Sequence, residues 1–524
     1  MAEARSHNAA IEFVDRNVAE GRGGKTAFKD PRRSLTYGEL QDLSRRVGPA
    51  LARLGVEREH RVVMLMLDTV DFPVVFWGAI RAGIVPVPLN TLLGADQYRY
   101  MIEDSRARLV VVSSALLPLA EKAVAASGRT VPIVVAGDDG GAHPRLSDLL
   151  GKAEPAAEPA DTSADEVAFW LYSSGSTGMP KGVKHVHSSL METARLYGQG
   201  VLGIAEDDVV YSAAKLFFAY GLGNAMTFPM AVGASAVLLD ERPTPKSVFA
   251  VMKREQPTIF FGVPTLYAAI LNDPDCTPEN GSRRLRLCVS AGEALPEHVG
   301  LAWKKKFGLD ILDGTGSTEM LHIYLTNAPG DIRYGTSGRA VPGYELRVVD
   351  EEGREVGVGE IGEMLVRGPS HAEGYWNQRE KSRRTFEGAW TRTGDKYIRE
   401  ADGRFVCCGR TDDMFKVSGI WVSPFEVEAA LISHEAVLEA AVVPARDAEG
   451  LEKPKAYIVL KTGASARDGL AEGESPEPIN TDGAECARPP QLIGKVRGYG
   501  FRVRPSGPPR NDTKNGASKN GIGG

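Results

Sequence analysis

Apolar residues at Leu40, Leu43, Val47, Leu51 and Leu54 recur at helical spacing ahead of Gly55, and Thr36 with Glu39 forms a capping-box signature just before them. The pattern predicts an amphipathic helix. Three short apolar runs follow, "RVVMLM", "RLVVVS" and "VPIVV", separated by helical patterns. Runs apolar at every position suit strands buried on both faces, and their alternation with helices predicts parallel sheets covered by helices, although each run alone fits a buried helix segment equally.

Farther along, "TIFFGVP", "RLCVSAGE" and "GLDILDGTGSTE" share one form, an apolar run that ends abruptly in small and polar residues. In open α/β sheets ligands bind beyond the carboxyl ends of the strands, so these three ends are candidate site positions. From Gly335 to Gly409 short runs with glycine turns predict a smaller antiparallel sheet or barrel. A further unit begins near Asp412: Ser423, Pro424 and Glu426 mark a helix start, and "VLEAAVV" and "KAYIVL" are strand candidates after it. Residues 463–524 hold 12 Gly and 7 Pro among 62 positions, with no sustained apolar period, and read as a disordered tail.

At 524 residues the chain exceeds one hydrophobic core, which predicts two or more domains. A composition 43% hydrophobic and 25% charged is that of a soluble globular protein. The formal charge of -6 gives no global basic field, so neither nucleic acid nor an anionic membrane is an expected partner. The five cysteines (Cys276, Cys288, Cys407, Cys408, Cys486) have no metal-site spacing and point to a reducing compartment. The first residues lack an apolar leader segment, and "DFPVVFWGAIRAGIVPVPL" is interrupted by Asp71, Arg81 and the two later prolines, Pro86 and Pro88. A cytoplasmic enzyme is expected.

The most distinctive stretch is "YSSGSTGMPKGVKHVH", Tyr172 to His187, which follows an apolar run. Ser and Thr hydroxyls with Gly175, Gly178 and Gly182, which let backbone N–H groups approach closely, suit a polyphosphate. The spacing is not that of a Walker loop. A mobile surface loop is the plainer alternative, made weaker by Pro180 and the preceding strand.

Other loops join it: "GVPTLY" at Gly262, "SAGEALP" at Ser290, "DGTGSTEM" at Asp313, "WTRTGD" ending at Asp395, and "GRTDDMFKVSGIWVSPFEVE" from Gly409. Together and in this order, over roughly residues 10–460, they resemble the adenylate-forming acyl/aryl-CoA synthetase family. The segments "KLFFAYGLGNAMTFPM", "DGTGSTEMLHIYLTN" and "AEGYWNQREKSRRTFEGAWTRTGDKY" are similar to its benzoate-CoA ligase branch. The resemblance implies an α/β fold: an N-terminal adenylation domain, residues 1–411, of two α/β subdomains plus a β-barrel. A small α+β C-terminal domain, incomplete here, would cover 412–462, with 463–524 as an atypical tail.

The resemblance also implies ATP, Mg²⁺ and coenzyme A. Ser173, Ser174, Gly175, Ser176, Thr177 and Gly178 would embrace the β- and γ-phosphates, with Lys181 adding charge, although a solvated lysine is the ordinary reading. Thr318 would donate to the α-phosphate and Glu319 would bind Mg²⁺, a hard cation suited to carboxylate; a buried Glu paired to an Arg is the rival. Ala291, Gly292, Glu293 and Asp313 would surround the adenine. Asp395 and Arg410 would hold the ribose, or else form a structural ion pair. Ala219, Tyr220, Gly316, His322 and Ile323 would line an aryl slot; core aromatics are the alternative for Tyr220 and its neighbours, and His322 is given a lining role only. Asp412 would be the hinge, and Gly419 in "VSGIW" would let the pantetheine arm pass.

The implied reaction is ATP-dependent activation of benzoate, or a related aryl acid, and transfer to CoA in aromatic compound degradation, with a homodimer as an open possibility. The family's closing P-x-T-x-x-G-K type segment is not found in residues 463–524, and Lys514 and Lys519 stand in a different context, "NDTKNGASKNGIGG". Slow adenylation is therefore expected. A ligase for another aryl or short-chain acid and a catalytically silent nucleotide- or acyl-binding protein are the competing readings.

Overall fold

The computed structural model describes residues 7–175 and 178–411, and beyond them 414–417, 420–422, 424–432, 434, 437–446, 452–460 and 491–495. The chain divides into two compact units, Met1–Asp412 and Asp413–Gly524.

The first helix of the apolar pattern forms over Tyr37–Ala52. Thr36 Oγ1 accepts from the Glu39 amide at 3.2 Å while the Glu39 carboxylate accepts from the Thr36 amide at 2.7 Å, so two of the donors a helix start leaves unpaired are satisfied reciprocally. Leu40, Val47 and Leu51 are buried, whereas Leu54 lies past the helix end. The "RVVMLM", "RLVVVS" and "VPIVV" runs become Arg61–Leu65, Leu109–Ser113 and Ile133–Ala136. With Val85–Pro88 they make a four-stranded, wholly parallel sheet.

A larger, nine-stranded sheet carries the three abrupt strand ends side by side. Ile259–Gly262, Leu287–Ala291 and Ile311–Gly316 are adjacent and parallel, with Ser290 opposite Asp313 and Ala291 opposite Gly314. Every residue of the first two strands is buried, as strands covered on both faces must be. Ile323–Thr326 returns antiparallel against Ile311–Gly316, which brings the "TEMLHI" segment back over the strand end.

The glycine-rich stretch differs from the expected loop at a sheet end. Val167–Gly175 and Gly178–Val186 form an antiparallel hairpin in which Ser173 faces Lys181 and Gly175 faces Gly178. Gly374–Tyr375 adds a third strand, Tyr375 opposite Val183. The small residues of the motif therefore continue the ladder nearly to its turn, because strand pairing satisfies backbone groups that an open loop would leave to solvent. The antiparallel portion after Gly335 is a five-stranded sheet including Glu345–Val349, Ile361–Arg367, Trp390–Arg399 and Phe405–Arg410.

In the second unit, helix Pro424–Ile432 packs with the hairpin Val437–Arg446 and Glu452–Leu460 through Leu431, Val437, Val442, Ala456 and Ile458. A strand at Gln491–Lys495 pairs with Glu452–Leu460, so the stretch read as a tail contributes to this sheet. The hinge position Asp412 and Gly419 lie outside the described residues, as do Ser176, Thr177, Lys514 and Lys519.

Candidate active site

The carboxyl ends of Ile259–Gly262, Leu287–Ala291 and Ile311–Gly316 converge, and the candidate residues gather around them. Ala291 is buried at its strand end, and Gly292 follows with φ +99°, a left-handed conformation that only glycine adopts readily. An added Cβ there would meet nothing within 4 Å, so open space lies beside this backbone; Glu293 next to it is exposed. Asp313, one strand over, is buried. Its Oδ2 accepts from the Leu295 amide at 3.3 Å and its Oδ1 has no partner. Burial pushes its carboxyl up to about 8, the single amide bond opposing only part of that shift. Once ionised, the carboxyl presents Oδ1 as an unpaired acceptor that suits the exocyclic amino group of a purine.

On the aryl side, Tyr220 in helix Ala219–Leu222 stands with its ring centroid 5.6 Å from that of His322. The Tyr220 hydroxyl donates to the Gly262 carbonyl at 3.2 Å, which ties the ring to the neighbouring strand end. Gly316 is backed by the His322 carbonyl: a Cβ on Gly316 would lie 2.6 Å from that oxygen and 2.9 Å from the Ile323 amide nitrogen. Ile323 is Gly316's strand partner and is buried. Ala219, Tyr220, Gly316, His322 and Ile323 are thus brought together. His322 donates through Nε2 toward the Tyr220 carbonyl at 3.2 Å and Asn224 Oδ1 at 3.1 Å. Burial lowers its pKa to about 3, so the ring is neutral and has no general acid–base role near neutral pH.

The polar end of the site joins three strands. Glu319 Oε1 accepts from Ser173 Oγ at 3.3 Å and from the Tyr375 hydroxyl at 2.8 Å. Lys181 Nζ lies 3.4 Å from the same hydroxyl and 4.4 Å from the centroid of the Tyr375 ring. Lys181 is half-buried rather than freely solvated, and burial lowers its pKa. Thr318 is held through its carbonyl, which accepts from His185 Nε2 at 2.8 Å; burial takes His185 down to about 4 and keeps it neutral. Asp395 and Arg410 face each other across paired strands, joined at 2.9 Å. Burial nonetheless raises the Asp395 carboxyl to about 6, with Arg410 opposing the shift.

The oxygens at Glu319 fit Mg²⁺, a hard cation. Among the described residues no group of three or more His, Cys, Asp or Glu side chains gathers to hold a metal ion. One carboxylate with hydroxyl neighbours suits a divalent ion that takes most of its ligands from phosphates and water, not a resident metal. Sequence reasoning passed over Tyr375 and Asn224, although both lie inside motifs it quoted.

These features define an adenylate-forming enzyme. The family described as AMP-binding enzyme matches residues 15–376, its C-terminal domain matches residues 426–479, and the chain belongs to this family of adenylate-forming CoA ligases. Its second match extends past residue 462, where the sequence pattern had placed the end of the small domain. The chain is 59% identical over 477 residues to the 4-hydroxybenzoate–CoA/benzoate–CoA ligase of Rhodopseudomonas palustris, covering 91% of this chain and 88% of that protein. It is 55% identical over 466 residues to the benzoate–CoA ligase of Thauera aromatica, covering 88% of each. Among solved structures, a benzoate CoA ligase from Burkholderia xenovorans LB400 aligns with a TM-score of 0.82 at 49% identity, over 88% of this chain and 91% of that one. An anthranilate CoA ligase in complex with anthranoyl-AMP aligns with a TM-score of 0.84 at 42% identity, over 88% of each. Among the described residues no helix is long and apolar enough to cross a membrane.

Proposed function

We propose that the chain activates benzoate, or a closely related aryl carboxylic acid, with ATP and transfers the acyl group to coenzyme A, releasing AMP and pyrophosphate. The observation that carries this reading is the cluster of Tyr220, His322, Ile323 and Gly316 beside the strand ends that carry Ala291 and Asp313. Ligases acting on benzoate and hydroxybenzoate among the relatives support it.

A carboxylate is a poor acyl donor because its leaving group would be oxide. In the first half reaction a carboxylate oxygen forms a bond to the α-phosphorus while the bond from that phosphorus to the bridging oxygen of pyrophosphate breaks. In the second, the CoA sulfur bonds to the acyl carbon, the carbon–oxygen bond to AMP breaks, and the thiol proton passes to solvent. Positioning and charge complementarity carry both steps. Lys181 supplies a cation near the phosphates, the Ser173–Gly178 segment supplies hydroxyl and amide donors including Thr177, and Thr318 binds the α-phosphate. Glu319 would hold Mg²⁺, which offsets phosphate charge when bound. Asp395 with Arg410 takes the ribose, and Ala291, Gly292, Glu293 and Asp313 take the adenine. Asp412 serves as hinge and Gly419 faces pantetheine. The reading places the enzyme in the cytoplasm, where ATP and CoA are available, and admits a homodimer.

A ring-hydroxylated acid is a second reading. It is favoured by His322 Nδ1, a buried polar atom without a partner, and by the Asn224 amide beside the same histidine.

The test measures the half reactions separately with benzoate, 4-hydroxybenzoate and hexanoate. Acid-dependent pyrophosphate exchange reports adenylation, and benzoyl-AMP with CoA reports thioester formation. Aryl acids should be preferred, and equal use of hexanoate would remove the aromatic reading. Absence of thioester formation from benzoyl-AMP would favour the silent binding protein. The same assay checks the expectation of slow adenylation, since exchange as fast as thioester formation would contradict it.

A further inference from the structure

Tyr375 occupies the space between the two charged groups at the phosphate end of the site. Its strand, Gly374–Tyr375, is paired to the strand that carries Lys181, with Tyr375 opposite Val183. The side chain is only 5% exposed and packs on Phe386, and its amide donates to Ser382 Oγ at 3.0 Å. The ring is thus held by Phe386 and its backbone by Ser382. Its single hydroxyl proton has one strong acceptor, the Glu319 carboxylate at 2.8 Å. The oxygen lone pairs face the Thr385 side chain and Lys181, whose ammonium group can only donate and lies 3.4 Å away. The geometry therefore gives the hydroxyl a direction: it accepts from Lys181 and donates to Glu319. The ammonium also lies against the ring at 4.4 Å from its centroid, a cation–π contact that holds it without a carboxylate.

We propose that Tyr375 is a positioning residue that keeps Lys181 and Glu319 from collapsing into a direct ion pair, so that the carboxylate stays open to a divalent cation and the ammonium to a phosphoryl oxygen. The inference rests on the nucleotide assignment of this site and adds the device that maintains it. Without the bridging oxygen, a half-buried ammonium and a carboxylate this close attract strongly, and each is lost to its ligand.

The experiment uses the full chain and reads binding, so it does not depend on turnover. ATP affinity is titrated at a series of Mg²⁺ concentrations for the parent protein, for Tyr375→Phe, and for Tyr375→Phe combined with Lys181→Met; AMP affinity is measured in parallel. Tyr375→Phe keeps the ring and removes only the oxygen. The Mg²⁺ concentration for half-maximal ATP binding should rise about tenfold, as when a hydrogen-bond partner of a metal ligand is removed, with AMP affinity unchanged. Adding Lys181→Met should bring the Mg²⁺ requirement back toward the parent value, because the competing cation is gone. An unchanged Mg²⁺ requirement in Tyr375→Phe overturns the proposal. So does a raised requirement that Lys181→Met does not relieve, or a parallel fall in AMP affinity, each of which would make Tyr375 an ordinary packing residue. A parent protein that binds ATP with Mg²⁺ but activates no aryl acid would defeat the functional reading and leave this test intact.

Discussion

Asn224 Oδ1 and the Tyr220 carbonyl both face His322 Nε2, at 3.1 and 3.2 Å. Two acceptors on one nitrogen require the proton there, so His322 Nδ1 is left as a bare acceptor without a partner, while the Asn224 amide interacts with the Tyr220 hydroxyl. A bare ring acceptor with a polar amide close to the same histidine suits a hydroxyl on the substrate ring. Asn224→Val keeps approximate size and removes the amide. The ratio of 4-hydroxybenzoate to benzoate affinity should fall about tenfold, with benzoate itself changed less than about threefold. Competitive binding of the two acids checks this, and an unchanged ratio would assign Asn224 to packing alone.

Gly316 offers a second test of the proposed aryl slot. A Cβ there would sit 2.6 Å from the His322 carbonyl oxygen and 2.7 Å from its carbon, both backbone atoms that cannot rotate away. Gly316→Ala must displace the strand carrying His322 and Ile323. The expected outcome is a stability loss of about 1–3 kcal/mol and a loss of aryl-acid affinity well above any change for AMP. Chemical denaturation and the two titrations separate the effects. Equal weakening of AMP and acid would mean that the whole strand end, not the slot, had moved.

At the proposed ribose position the pH dependence has a definite sign. Burial raises Asp395 to about 6 despite Arg410, so the free protein disfavours the ionised form below that pH. Ribose hydroxyls donate, and they prefer the carboxylate. Nucleotide affinity should therefore rise as pH increases through about 6 and level off above it. Asp395→Asn should weaken both ATP and AMP and remove the rise near pH 6. Titration of AMP between pH 5 and 8 decides; weakening confined to ATP would defeat the ribose assignment.

The sequence made the layered α/β architecture legible because fully buried parallel strands read as unbroken apolar runs, as in Leu109–Ser113 and Ile259–Gly262. The abrupt ends of three such runs marked candidate site positions for the same reason, and the structure sets them side by side. The hairpin at Ser173 to Lys181 was not legible, since serine and glycine signal turns whether or not they pair. Tyr375 and Asn224 escaped for a different reason. Tyr375 lies 56 residues from Glu319 and 194 from Lys181, and Asn224 lies 98 from His322, so their partners are set by sheet order and not by local pattern.

Asp313 provides the sharpest stability test. Its carboxyl sits at about 8 in the folded protein, against an ordinary value of 3.8, because burial penalises its charge and only the Leu295 amide compensates. Below about pH 4 both folded and unfolded states hold the proton. Between about 4 and 8 the unfolded chain releases it while the folded protein does not, so this group makes stability fall as pH rises across that window and stay level above it. The fall amounts to about 1.4 kcal/mol per unit of displacement before relaxation of the site is counted. Asp313→Asn cannot ionise, and its stability should decline less steeply between pH 4 and 8, measured by denaturant titration. The amide oxygen can accept from Leu295 only by turning Nδ2 toward the space that Oδ1 faces, which leaves a fixed donor where the ionised carboxyl presents an acceptor, so the nucleotide comparison is made above about pH 8. ATP should then bind about tenfold more weakly, while GTP, whose base presents a carbonyl where adenine presents an amino group, should lose little. A variant that keeps the parent's ATP-to-GTP preference would show that Asp313 does not face the base, whatever happens to stability.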